Sequence, residues 1–183
     1  MRSFLSCLRR VFLFLPFLIV ATSQPGRAQS APVPEYALKS ALLFKLPLFV
    51  YRADIDRNKP LTICLLGNDP FGNANEKLAQ TSIDGRSVHY QRLSGTSEAA
   101  GCEFVFISRS EAGEIGGVLR RIGQLPVVTI SDIEGFARAG GMVEFALGAE
   151  GGSISILINR RAAQKQGFEF NAQLLRLAKV VEP

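Results

Sequence analysis

Few residues in this chain have the types and spacing for chemistry. His89 is the only histidine. It falls on the polar phase of Arg86 to Arg92, opposite Val88 and Tyr90, as a surface residue of a half-exposed strand does. No Gly-x-Ser-x-Gly elbow accompanies it, so a serine hydrolase has no support. Cys64 stands inside the apolar run Leu61 to Leu66, an environment that disfavours a thiolate, and no Cys-x-x-Cys is present for thioredoxin-type exchange. Metal-ligand spacing is absent from the sequence. Gly113-x-x-Gly116-Gly117 lies within a helix-like segment rather than at a strand-to-helix turn, and no lysine follows a glycine loop. Those glycines read as a close packing contact or a weak point in a helix. Asp69, Asp84, Asp132 and Glu144 are separated along the chain and form no obvious pair. The expectation is a protein with no catalytic set, no cofactor and no metal.

The elements that would position these residues follow from hydrophobic periodicity. Glu35 opens a helical pattern through Tyr36, Leu38, Ala41, Leu42, Phe44 and Leu46 that keeps to no narrow stripe, so the helix is expected to be buried over much of its circumference. Pro47 should kink or end it. Leu61 to Leu66, Phe104 to Ile107 and Leu125 to Ile130 read as buried strands. Between the first two lie a helix from the Asp69–Asn73 turn to about Gln80, capped by Asp69 or Asn73, a turn at Asp84-Gly85 and the half-exposed strand at Arg86. Ser108 or Ser110 should cap a helix from Glu111 to Ile122. Met142 to Leu147 and Ser153 to Ile158 read as a hairpin joined by Gly148 to Gly152. Arg160 to Gln166 reads as a short helix stopped by Gly167, and Asn171 as the cap of a final helix. Alternation of strand and helix predicts one three-layer α/β/α domain with a mixed, mostly parallel sheet and a C-terminal antiparallel hairpin.

Residues 1–28 have the parts of a cleaved secretory signal. Arg2, Arg9 and Arg10 precede the apolar run Val11 to Ala21, and Gly26 and Ala28 supply small residues before the expected cleavage point. The run suits a signal core and is short of the roughly 20 residues of a membrane span. Residues 29–34 form a short leader and 35–183 the domain. The signal holds four of the 21 basic residues and none of the 16 acids, so the remaining 155 of 183 residues carry 17 bases against 16 acids. The net charge of +5 therefore gives no argument for a nucleic-acid partner. Cys64 and Cys102 remain after processing, an even count that suggests a disulfide in an exported chain, with two buried thiols as the alternative.

The order of short motifs carries a resemblance. Glu35-Tyr36-Ala37-Leu38-Lys39-Ser40-Ala41-Leu42-Leu43-Phe44 comes first, then Leu61 to Gly72, Gly101-Cys102-Glu103-Phe104-Val105-Phe106-Ile107-Ser108 and Val127 to Asp132. Gly135-Phe136-Ala137, Gly140-Gly141-Met142-Val143, Ile156 to Asn159 and Gln173 to Ala178 complete it. In this order the sequence resembles the YfiR-like family of bacterial periplasmic regulatory proteins. The resemblance implies a regulator in the periplasm that binds an inner-membrane signalling protein such as a diguanylate cyclase and holds down cyclic-di-GMP production and biofilm formation. It also implies that Cys64 and Cys102 are paired. The sequence departs from the family where a Trp-Pro pair usually follows the first helix: Tyr51-Arg52 stands near that place. Leu48, Phe49, Tyr51 and Arg52 are the candidate partner surface, and a homodimer is compatible with the same reading. The alternative is a periplasmic small-molecule sensor, with its ligand at Gly67 to Phe71 and Ser108 to Ser110, the loops at the carboxyl ends of parallel strands.

Overall fold

The computed structural model describes residues 34–148 and 153–182. The expected signal, the leader up to residue 33 and residues 149–152 of the hairpin connection lie outside the described residues. In chain order the elements are α1 (Glu35–Lys45), a 3-10 turn (Leu46–Phe49), β1 (Val50–Tyr51), β2 (Leu61–Leu66), α2 (Ala74–Leu78), β3 (Ser82–Ile83) and β4 (Arg86–Leu93). A 3-10 turn (Thr96–Gly101), β5 (Phe104–Ile107), a 3-10 segment (Arg109–Glu114), α3 (Ile115–Ile122) and β6 (Val128–Ser131) come next. Then follow β7 (Val143–Leu147), β8 (Ile154–Ile158), α4 (Arg160–Lys165), β9 (Glu169–Phe170), α5 (Ala172–Leu177) and β10 (Lys179–Val180).

Eight strands form one sheet in the order β10-β8-β7-β6-β5-β2-β4-β3, and β1 and β9 make a separate antiparallel pair. The central strands β4, β2, β5, β6 and β7 run parallel, β8 pairs antiparallel with β7, and β10 pairs parallel with β8. The mixed sheet and the C-terminal hairpin are therefore present. Both faces are covered, which explains the continuous apolar strands. Ile63 and Leu65 of β2 join the cluster containing Leu43 and Phe44 of α1, while Cys64 and Leu66 join the cluster containing Val118 and Ile122 of α3. No helix among the described residues is long and apolar enough to cross a membrane.

Chain order and strand order differ at one informative place. From β2 the chain crosses through α2 to β4, then returns past β2 to β5 and moves outward through α3 to β6. The direction of winding reverses between β2 and β5, the kind of switch point at whose carboxyl end open α/β sheets commonly place ligands.

Several local expectations shift. The third buried strand begins at Val128 rather than Leu125, because Pro126 has no N–H and the Val127 N–H bonds Leu125 O at 2.8 Å. α2 ends at Leu78 rather than Gln80. Neither expected cap serves it: Asn73 makes no side-chain cap bond, and Asp69 accepts the Phe71 N–H at 2.8 Å within the preceding turn. Ser108 does cap, but what it caps is the 3-10 segment, and α3 proper starts only at Ile115. α1 ends before Pro47, as expected, but its innermost residues include Lys39 and Ser40 beside Leu43 and Phe44, whereas Leu38 and Leu42 are only half-buried. Asp84 and Gly85 both take positive φ, 52° and 77°, the conformation of a two-residue turn between β3 and β4.

Candidate functional site

The carboxyl edge of the sheet is where the alternative small-molecule sensor would hold its ligand, and the two loops named for it meet. Gly67 follows β2 with φ 91°, and a Cβ there would collide with Ser110 Oγ. The glycine lets the loop after β2 lie against the loop after β5. Asn68 N–H donates to Ser110 Oγ at 2.9 Å, and Ser108 N–H donates to Leu66 O at 2.9 Å. Beside this junction is an open crevice of about 510 Å³, lined in part by Gly67, Thr96, Glu111, Glu114 and Arg121. Arg121 Nε donates to Thr96 Oγ1 at 3.0 Å, tying α3 to the chain that follows β4.

At the same edge, one strand further along, lies a polar centre that sequence reasoning missed. Asp132 directly follows β6, and its side chain is fully buried. Its Oδ2 accepts from Lys39 Nζ at 2.7 Å and from Tyr36 Oη at 2.9 Å, with Arg109 Nε 3.2 Å away. Lys39 has no exposed surface, and it also contacts Glu35 one turn back along α1. Asp132 Oδ1 is buried with no hydrogen-bond partner among the described residues. The local cause is helix geometry: Tyr36, Lys39, Ser40 and Leu43 fall on one face of α1, so burying that face carries the ammonium to the end of β6. A buried ammonium requires a counter-charge, and Asp132 supplies it. Tyr36 also stacks edge-on against Phe71, centroids 5.7 Å apart, and Phe71 against Phe106 at 4.8 Å, so the loop after β2 joins this packing. The arrangement is a clamp between α1 and the sheet. Lys39 and Ser40 at helical spacing from Leu43 were the available signal, hidden by apolar neighbours on every side.

Burial, reinforced by the Asp132 carboxylate, pushes the Tyr36 phenol up to about 12, and burial also raises Tyr90 to about 12. A raised folded pKa favours the protonated form of the native state. The associated stability is complete below the ordinary value of 10.0 and is lost as pH rises from there towards 12. Absorbance titration of the folded protein should therefore show two phenols ionising late, and Tyr36→Phe should remove one of them. A wild-type curve without a late step would contradict this environment.

The four acids read as separate all serve the fold. Besides Asp132, Glu144 accepts from Gly135 N–H at 3.1 Å and Ala137 N–H at 3.0 Å, Asp84 pairs with Arg57, and Asp69 lies 2.8 Å from Arg92 Nη2. His89 is exposed on β4. Gly116 and Gly117 lie in the first turn of α3, just after the 3-10 segment that holds Gly113. Cys64 and Cys102 form a disulfide with Cα atoms 6.0 Å apart, joining β2 to the start of β5 beneath α3.

Of the proposed partner surface, Leu48 and Tyr51 are 50% and 54% exposed. Phe49 packs against the core, and its carbonyl accepts the Asn171 N–H at 2.9 Å. Arg52 turns inward over the Phe168 ring, bonds Pro126 O at 3.2 Å and pairs with Asp54 at 2.6 Å. Leu48 and Tyr51 are thus presented outward by a segment that Phe49 and Arg52 hold down.

Fold and geometry together define a mixed-sheet α/β domain, helices on both faces, with Asp69, Asp84, Asp132 and Glu144 engaged in contacts within the fold. The chain belongs to the YfiR/HmsC-like family, whose model matches residues 36–179. The resemblance read from motif order, to a family of regulators, therefore holds. A search of curated proteins finds no match. Among solved structures, a conserved domain protein from Vibrio cholerae O1 biovar El Tor is 15% identical with a TM-score of 0.57, over 81% of this chain and 60% of that one. The ABC domain in complex with L-Trp from Streptococcus pneumoniae is 14% identical, TM-score 0.52, over 80% and 60%. The ligand-free, open structure of CD0873, a substrate-binding protein with adhesive properties from Clostridium difficile, is 14% identical, TM-score 0.54, over 76% and 58%. These likenesses concern the fold, and the chain spans about three-fifths of the length of each of these structures.

Proposed function

We propose that this chain is a periplasmic regulator that binds and represses a membrane-bound signalling enzyme, a diguanylate cyclase, and so controls cyclic-di-GMP and biofilm formation. Membership of the YfiR/HmsC-like family is the observation that carries the reading. The signal pattern of residues 1–28 supports the compartment, and exposed Leu48 and Tyr51 on an anchored segment support a contact surface. In thermodynamic terms the regulator would bind the inactive conformation of the enzyme's sensor part more tightly and draw its population there.

The test is cellular. A strain lacking this chain should contain several-fold more cyclic-di-GMP, and the wild-type chain should restore the low level. The double substitution Leu48→Asp, Tyr51→Asp should leave the protein folded and exported but fail to restore it, because two charges placed on an apolar contact oppose its desolvation. An unchanged cyclic-di-GMP level in the deletion strain would sink the proposal.

A second reading, a small-molecule sensor, draws on the crevice beside Gly67 and on the fold likeness to the L-Trp complex and the substrate-binding protein named above. The two readings are compatible if a ligand biases the regulator between free and partner-bound states.

A further inference from the structure

We propose that the cleft between α3 and α4, away from the carboxyl edge, binds a small polyanion: an organic molecule with two or more carboxylate or phosphate charges. The cleft has a volume of about 450 Å³, within the usual range for small-molecule sites. Arg120 from α3 and Arg161 and Lys165 from α4 line it, and no acidic residue does among the described residues. None of these three cations has a carboxylate at ion-pairing distance among the described residues. Arg52, Arg57, Arg86, Arg92 and Arg109 each have one, whereas Arg121, Arg138, Arg160 and Arg176 also have none among the described residues, so what distinguishes this cleft is the convergence of three such cations on one cavity.

Helix physics explains two of these cations and not the third. Arg120 is in the last turn of α3, where the helix dipole favours a positive charge. Arg161 is in the first turn of α4, where the dipole disfavours one, and that turn holds no acid. Lys165, in the last turn of α4 where the dipole favours a cation, lies four residues after Arg161, so the two like charges share a helix face and repel each other. A bound anion would relieve both repulsions.

The remaining surface suits the same ligand. Leu119 and Met142 offer an apolar wall for a carbon skeleton. Two buried residues, Thr129 and Asn159, also line the cleft. Thr129 Oγ1 accepts the Met142 N–H at 3.0 Å and Asn159 Oδ1 accepts the Ala162 N–H at 2.9 Å, so both side chains are held in place at the floor of the cleft. This inference does not depend on the cyclase partner and would stand if that reading failed.

Isothermal titration of the full chain, purified as the cell processes it, tests the proposal with citrate and pyrophosphate as probes. The expected result is saturable binding of at least one probe at one site. Citrate alone would mark a carboxylate ligand and pyrophosphate alone a phosphate ligand. Arg161→Gln and Lys165→Gln should each weaken binding about tenfold or more, the effect of losing a charged hydrogen bond. Both positions are exposed, so the variants should melt like the wild type. Arg176→Gln, an exposed cation on α5 outside the cleft, should leave affinity unchanged. Absence of saturable binding with both probes would overturn the proposal. So would binding indifferent to Arg161→Gln, or one weakened equally by Arg176→Gln, since the attraction would then be diffuse.

Discussion

Lys39→Ala is expected to destabilise the domain by about 3–5 kcal/mol, the cost of removing one partner from a buried ion pair. The substitution leaves the Asp132 carboxylate inside the protein, with Tyr36 and a half-exposed Arg109 as its remaining donors. It also deletes a long side chain from the contact between α1 and the end of β6. The pair itself is not a large net source of stability, because bringing both charges out of water offsets most of their attraction. The asymmetry gives a second expectation. Lys39→Met combined with Asp132→Asn removes both charges, keeps an oxygen for Tyr36 and should recover much of what Lys39→Ala loses. Urea denaturation followed by circular dichroism at neutral pH measures all three proteins. A loss below about 1 kcal/mol for Lys39→Ala, the range of an exposed pair, would mean that the ammonium is solvated and the clamp is not as described.

Removing the disulfide should have an effect of similar size. Cys64 and Cys102 close a loop of 38 residues, and restricting that loop in the unfolded chain is worth about 4 kcal/mol in the chain-entropy account. For a domain of this length the loss corresponds to roughly 8–16 °C in melting temperature. Both half-cystines are buried between the sheet and α3, so reductant should act slowly on the native protein. Melting curves of the oxidised wild type, of the protein reduced after unfolding and of the Cys64→Ala, Cys102→Ala double variant should separate accordingly, the latter two close together. Coincident curves for all three would mean that the bond contributes nothing. The result also bears on regulation: a bond whose loss nearly unfolds the domain is structural, whereas a modest loss would leave room for a redox role.

The parts of the fold legible in the sequence are those set by local pattern. Continuous apolar runs at Leu61 and Phe104 announced strands covered on both faces, and alternation at Arg86 announced β4, exposed along its polar side. Asn171 announced the start of α5 through a side chain that caps its own helix, the Leu174 N–H reaching it at 2.9 Å. Boundaries failed where backbone hydrogen bonding, rather than hydrophobicity, sets them. Val127 is as apolar as Val128, yet Pro126 removes the donor that pairing would need and the strand starts late. Asp69 and Asn73 are both good caps, but Asp69 closed its own turn first.

The candidate sites divide differently. Cysteine count and an export signal suggested the Cys64–Cys102 bond, and motif order suggested the family, because both are properties of residues in sequence. The Lys39–Asp132 clamp joins positions 93 residues apart, and neither residue is unusual alone. Lys39 in isolation is an ordinary helix lysine, and Asp132 an ordinary strand-end aspartate. Only the placement of α1 across the carboxyl end of β6 brings them together and removes the water that would otherwise make them independent. The same holds for Arg120, Arg161 and Lys165, which share a cleft because α3 and α4 border one cavity. Sequence by itself determined the identity and burial of the main strands and the stops of α1 and α3, since these depend on neighbours within a few residues. Tertiary structure alone decided the strand order, the reversal between β2 and β5, and which charges lost their solvent, since those follow from distant segments competing for the same faces of one sheet.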